Sequence, residues 1–266
     1  MKIVVAGASR GIGAAVRRHL ESHGHEVWSL ARNPAESERS TRCDVSVWND
    51  VATARDLVGA SWLHVDAVLC VAAIQGAIGP AMAADPAAWS ATVRVNLDGT
   101  YFVIRAFWEL LRCAPRRGKI ICFSGGGATK ARPNFSAYAA SKTGIVRLVE
   151  TLAEEWKDLP VDINAIAPGA INTAMTGETV RLGPERAGRV EFEAAQRQLE
   201  SGGQPIEKAL GLVEFLLSEK SDGITGRLLS AQWDDWASLG THTAALAAGE
   251  IFQLRRILPA ERGEKF

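Results

Sequence analysis

Lys2-Ile3-Val4-Val5-Ala6, followed without a break by Gly7-Ala8-Ser9-Arg10-Gly11-Ile12-Gly13, decides the fold. The first five residues form a short apolar run of the kind that builds a strand buried on both faces of a sheet. Ile12 to His23 then shows a helical pattern that stops at Gly24. The glycines between strand and helix let the backbone approach a pyrophosphate, and the helix N-terminus faces its negative charge. Gly7, Ser9, Arg10, Gly11, Ile12 and Gly13 are therefore candidate phosphate-binding residues. A second strand over Glu26–Leu30 runs into Ala31-Arg32 with no acidic residue at its end. A site for NAD usually places Asp or Glu there, to hold the ribose hydroxyls. Arg32 and Arg10 are placed instead to meet a 2′-phosphate, with paired donors on a permanent charge. The expected cofactor is NADP(H) in preference to NAD(H).

The alternation continues down the chain. Thr41–Asp44 reads as a third strand, Val47–Gly59 as a helix and Asp66–Val71 as a fourth strand. Asp85-Pro86 opens a long helix, with Asp85 as N-cap, that runs to about Cys113. Lys119–Phe123, Val161–Ala165 and Arg227–Ala231 read as further strands, and Phe135–Lys157 and Glu207–Ser218 as helices. The expected fold class is α/β: a Rossmann-type, doubly wound parallel sheet of about seven strands with helices on both faces, in one domain over residues 1–236. Ligands of such a sheet bind at the carboxyl ends of its strands. Residues 172–205 are polar and helix-compatible, and read either as a lid over substrate or as a surface excursion. The tail over 237–266 is partly apolar, through Leu246, Ile251, Phe252, Leu254, Ile257 and Leu258, and is expected to pack on its own domain or on a neighbouring subunit.

Composition narrows the partners. The 266 residues include 30 basic and 30 acidic side chains, so zero formal charge argues against nucleic acid or an anionic membrane. No apolar run is long enough to span a bilayer. The four cysteines, Cys43, Cys70, Cys113 and Cys122, match no metal-ligand spacing and read as reduced thiols, so no metal is expected. The strand pattern at Lys2 leaves no signal-peptide pattern, and a cytoplasmic location is expected.

Tyr138 and Lys142, in Tyr138-Ala139-Ala140-Ser141-Lys142, stack on one helix face. A phenol beside a fixed ammonium becomes more acidic, and a value brought down from about pH 10 lets it exchange a proton with a substrate oxygen. Alone, this spacing more often means a packed ring beside a solvated amine. Its place after a strand of a nucleotide-binding sheet favours chemistry.

Taken in order, these motifs resemble the short-chain dehydrogenase/reductase family over roughly residues 2–231. The resemblance rests on Gly7–Gly13, Asp44-Val45, Asn96 within Val95-Asn96-Leu97-Asp98-Gly99-Thr100, Tyr138 with Lys142, Pro168-Gly169 with Thr173, and Ile224-Thr225-Gly226. It implies a Rossmann-type fold and a homodimer or homotetramer built through the long helices near 86–113 and 135–157. It implies that Asp44, with Val45 beside it, contacts the adenine, and that Pro168, Gly169, Ile171 and Thr173 line the nicotinamide side. Asn96 would bend its helix and support a water-mediated proton relay. Lys142 would bind the nicotinamide ribose and lower the Tyr138 pKa. Tyr138 would give a proton to a carbonyl oxygen, or take one from an alcohol.

The sequence departs from the family pattern at three places. The catalytic serine is expected thirteen residues before the tyrosine, where this chain has Gly125. Ser124 is one residue earlier, and neighbouring strand residues point to opposite faces. Either Ser124 or the backbone amides of Gly125-Gly126-Gly127 could replace the hydroxyl. The Asn-Asn-Ala-Gly after the fourth strand is Cys70-Val71-Ala72-Ala73 here, and Ala72 and Ala73 are still small enough to border a cofactor. The last strand leads into Gln232-Trp233-Asp234-Asp235-Trp236, whose indoles could shape a pocket or an interface. The leading expectation is an oxidoreductase acting on a carbonyl or alcohol of a small molecule. The alternatives are a nucleotide-binding regulatory or scaffold protein, and a non-redox dehydratase or epimerase.

Overall fold

The computed structural model describes residues 1–34 and 37–264, so Lys265 and Phe266 of the expected tail lie outside the described residues. Seven strands form one sheet: β1 (Lys2–Ala6), β2 (Glu26–Ala31), β3 (Ser40–Arg42), β4 (Ala67–Cys70), β5 (Gly118–Phe123), β6 (Val161–Ala167) and β7 (Leu228–Ser230). Their order is β3-β2-β1-β4-β5-β6-β7, with every neighbouring pair parallel. The order reverses between β1 and β4, the place where such sheets open a crevice for ligand.

The central strands β1 and β4 are apolar on both faces because helices cover both, whereas the edge strand β3 is polar. Val4 and Ala6 face α2 (Trp48–Ser61), α4 (Gly99–Arg112) and α5 (Ser136–Glu155), packing with Val58, Phe107, Ile145 and Val149. Ile3 and Val5 point the other way, toward Val16 and Leu20 of α1 (Gly11–Ser22) and Leu212 and Leu216 of α8 (Glu207–Leu217). Burying one such side chain contributes about 1.5–3 kcal/mol, so both faces are needed to hold the sheet.

Two sequence expectations are corrected, and a third is resolved. The third strand ends at Arg42 rather than Asp44, because Asp44 turns the chain and its Oδ1 accepts from the Ser46 amide at 2.9 Å and the Ser46 hydroxyl at 2.7 Å. The single long helix after Pro86 is two helices, α3 (Pro86–Val93) and α4, joined by a π-helical segment over Arg94–Asp98. The extra residue in that turn bends the run at Asn96. The two indoles after β7 separate: Trp236 packs 5.9 Å from the Phe215 ring, while Trp233 is 81% exposed.

Two helices, α6 (Ala174–Ala187) and α7 (Arg189–Ser201), occupy the 172–205 segment, with a break at Gly183-Pro184 inside α6. The tail, with the short α9 (Thr243–Ala248), lies on its own domain. The Arg227 guanidinium donates to the carbonyls of Gly249 (2.9 Å) and Ile251 (2.8 Å), and Leu254 N donates to Glu150 Oε1 at 2.7 Å. Among the described residues, no helix is long and apolar enough to cross a membrane.

Candidate active site

The loop from β1 into α1 is built so tightly that two of its glycines admit no side chain. A Cβ on Gly13 would stand 2.1 Å from the Gly7 carbonyl oxygen, and one on Gly7 would stand 2.5 Å from the Ala72 amide nitrogen. Gly7 and Gly11 also take positive φ, 94° and 55°. A Cβ on Gly11 would point across a gap at Thr173 Cγ2, 3.6 Å away. Thr173 caps α6, its hydroxyl accepting from the Met175 amide at 3.3 Å. The 168–173 loop therefore lies opposite the phosphate loop, and Gln232 Nε2 steadies it by donating to the Pro168 carbonyl at 3.2 Å. Ser9, Arg10, Gly169 and Arg32 are exposed, while Ile12, Ala72, Ala73 and Ile171 are partly buried.

Asp44 sits beyond the end of β3. Its half-burial pulls its pKa upward, but the Ser46 hydrogen bonds and the nearby Arg32 outweigh that pull and hold the carboxyl below its ordinary value. Val45 is placed differently from its neighbour. Its side chain is buried in the core, where a Cβ on Gly99 would meet its Cγ2 at 2.8 Å.

Tyr138 and Lys142 lie one turn apart on α5, both buried. Lys142 Nζ donates to the Phe123 carbonyl at 2.7 Å and stands 5.7 Å from the centre of the Tyr138 ring. Burial lowers its pKa to about 8, against the opposing effect of Cys122 and Cys70. The Tyr138 titration departs from the sequence expectation. Burial raises its pKa, and the cation that opposes the rise is Arg132 rather than Lys142. Arg132 has its guanidinium carbon 3.9 Å from the Phe135 ring centre and 5.5 Å from that of Tyr138. Nothing about Arg132 in the sequence signals this, because the contact arises from the loop after β5 folding back over α5.

Gly125, not Ser124, faces the phenol: a Cβ built on Gly125 would stand 2.8 Å from Tyr138 Oη. Ser124 turns the other way, and its buried hydroxyl donates to the Lys142 carbonyl at 3.4 Å. Ser124→Ala is therefore expected to leave turnover within about threefold of wild type, since a lone long hydrogen bond contributes about 1 kcal/mol or less to stability and nothing to the reacting atoms. A loss above tenfold, measured beside an unchanged melting temperature, would place the hydroxyl in the chemistry.

Asn96 is fully buried in the π-helical turn, and its side-chain amide is fully engaged. Its Nδ2 donates to the Ile74 carbonyl (2.9 Å) and Ser141 Oγ (3.0 Å), and its Oδ1 accepts from the Ile74 amide (2.9 Å). It thus ties the loop after β4 to the helix carrying Tyr138.

Part of the 172–205 segment packs against Tyr138. Leu182, Ala187 and Phe192 pack with Ile78, Phe135 and Tyr138. Arg132 forms an ion pair with Glu191 of α7 at 2.8 Å, and the Thr179 hydroxyl donates to Gln75 Oε1 at 3.3 Å. The surface that meets Tyr138 is apolar, although the segment as a whole is polar. Leu182 and Phe192 are eight or more positions beyond the lid's first residues, and only the tertiary packing shows that they face inward.

The family model described as enoyl-(acyl carrier protein) reductase matches residues 7–232. A 3beta-hydroxysteroid dehydrogenase 1 of Eggerthella lenta is 30% identical over 243 residues, covering 85% of this chain and 90% of that protein. An uncharacterized short-chain type dehydrogenase/reductase of Sinorhizobium fredii is 30% identical over 262 residues, covering 91% of this chain; the chain spans 45% of that longer protein. The ligand-free aldohexose dehydrogenase of Thermoplasma acidophilum has the same fold, with a TM-score of 0.76, 22% identity and 96% of each chain covered.

Proposed function

The chain belongs to the short-chain dehydrogenase/reductase family of NAD(P)-dependent oxidoreductases, and from that premise we propose that it is an NADPH-dependent enzyme acting on a carbonyl or alcohol of a small molecule, with Tyr138 as general acid/base. The observation that carries this reading is the placing of the Tyr138 hydroxyl beside the bare backbone of Gly125, at the carboxyl end of β5 and under the lid. That position leaves room at the phenol for a substrate oxygen.

The residues present fit a dinucleotide. The tight seating of Gly7 on Ala72 and of Gly13 on Gly7 fixes the loop at the start of α1, where a pyrophosphate would be held. Arg10 and Arg32 would meet the 2′-phosphate, Asp44 would border the adenine, and Pro168, Gly169, Ile171 and Thr173 would flank the nicotinamide. When bound, the cofactor supplies the hydride.

The chain's own side chains do the rest. Leu182, Ala187 and Phe192 exclude water from the phenol. Tyr138 gives its proton to the substrate oxygen during reduction, or takes one during oxidation. Arg132, held by Glu191, favours the phenolate that remains. Lys142 is placed to bind the ribose hydroxyls, and Asn96 keeps the loop after β4 in register with α5. The apolar floor favours a substrate with a hydrocarbon surface next to its carbonyl. Assembly through the exposed faces of α4 and α5, as a homodimer or homotetramer, and a cytoplasmic location complete this reading.

The test is a panel of ketones and aldehydes followed by NADPH absorbance. At least one substrate is expected to show kcat/KM at least tenfold higher with NADPH than with NADH, and Arg32→Glu is expected to erase that ratio. A ratio near one in the wild type would overturn the cofactor assignment. Tight NADPH binding without turnover on any substrate would select a nucleotide-binding regulatory protein, for which the serine-less Gly125 is the motive.

A further inference from the structure

We propose that His19, His23 and Glu214 form a binding site for a divalent transition-metal ion such as Zn2+, joining α1 to α8 on the side of the sheet away from Tyr138. Three of the chain's five histidines, His19, His23 and His25, gather here around one carboxylate. The ligand atoms of His19, His23 and Glu214 all lie within 4.8 Å of one another. Two imidazoles and a carboxylate are the donor set that zinc and its borderline neighbours select.

The arrangement within the cluster favours an ion over a plain hydrogen-bonded pair. His19 Nε2 stands 3.3 Å from Glu214 Oε1, yet both atoms are buried and neither has a hydrogen-bond partner. With metal–ligand bonds of about 2.0–2.1 Å, two ligands on a tetrahedral ion stand about 3.3–3.4 Å apart. That pair therefore already has the spacing of two ligands on one ion.

His23 follows His19 by one helical turn, so the two rings share a face, with centroids 4.1 Å apart. The His23 Nδ1 lies 2.8 Å from the His19 carbonyl and donates to it, which leaves Nε2 as the nitrogen with a free lone pair. Metal-binding histidines are commonly oriented by such a bond from the other ring nitrogen. His25 Nε2 lies 3.7 Å from the second Glu214 oxygen and steadies the carboxylate. His23 is exposed, so its ring can turn inward without disturbing the core.

The experiment uses the full chain without a histidine tag, stripped of metal by chelation. Adding Zn2+ is expected to raise the melting temperature by about 4 °C or more, with saturation at one ion per chain. Co2+ is expected to give the visible absorption bands of a low-coordinate site. His23→Ala and Glu214→Gln should each keep the ligand-free melting temperature within a few degrees and weaken Zn2+ binding at least tenfold. Absence of a saturable shift in the wild type would overturn the site and leave a histidine–glutamate contact only. A Zn2+ shift of equal size and affinity in both variants would overturn it as well, by placing the ion elsewhere.

Discussion

Tyr138→Phe is expected to lower kcat by about 10³-fold or more, while the Kd for NADPH stays within about twofold of wild type. The substitution removes one oxygen and keeps the ring that packs with Phe135, Ile78, Ala187 and the lid residues Leu182 and Phe192, so the fold survives. The removed atom is the one that a Cβ on Gly125 would approach to 2.8 Å. An equal fall in kcat and in kcat/KM for the substrate, with cofactor binding preserved, means that the interaction is made in the transition state alone. Turnover within tenfold of wild type, measured by NADPH absorbance with the best substrate of the panel, would remove Tyr138 from the mechanism.

Lys142→Met is expected to have the second largest effect, lowering kcat/KM by about 10²-fold or more and raising the KM for NADPH, because the proposed function gives Lys142 the ribose hydroxyls to bind. It also has a signature in stability that does not depend on turnover. The folded chain holds the Lys142 pKa at about 8, against an ordinary value of 10.5. Between those two values the unfolded chain binds a proton that the folded chain does not. The ligand-free protein therefore gains stability from this group as pH rises through that window, and carries the full penalty of the buried charge below it. The melting temperatures of wild type and Lys142→Met, compared from pH 8 to pH 10, should show the wild type gaining on the variant. A constant difference would mean that Lys142 titrates at its ordinary value. The Phe123 carbonyl loses its donor in this variant, which costs about 1–3 kcal/mol and offsets part of the relief at neutral pH.

Much of the fold is legible because local signals and packing agree. Lys2–Ala6 is a strand in both sequence and structure, since its apolar residues alternate between two helix-covered faces. The position of Ser124 also follows from elementary geometry: one step along the extended chain leaving β5 reverses the side chain, and Gly125 is the residue at the phenol. What the sequence conceals is contact between distant segments. Arg132 reaches Tyr138 because Glu191, fifty-nine residues later, holds it there. The apolar floor of the lid comes from Leu182 and Phe192, scattered among charged neighbours. Spacing alone cannot show that Lys142 directs its ammonium at the Phe123 carbonyl and that Arg132 is the cation opposing the raised Tyr138 pKa. The His19–Glu214 pairing was likewise invisible, since its halves lie on helices at opposite ends of the chain.

The back-to-back seating of Gly7 on Ala72, and of Pro168 under Gln232, bears on how the protein is made. Residues from the first strand to the last must meet before a nucleotide has anywhere to sit. At ribosomal rates of about 5–20 residues per second, the interval between synthesis of Gly7 and of Gln232 is on the order of ten to fifty seconds. Through that interval the outer edge of β6 waits for Leu228–Ser230 of β7, and no cofactor can bind the unfinished site. Until its synthesis is nearly complete, the growing chain can draw no stability from its nucleotide.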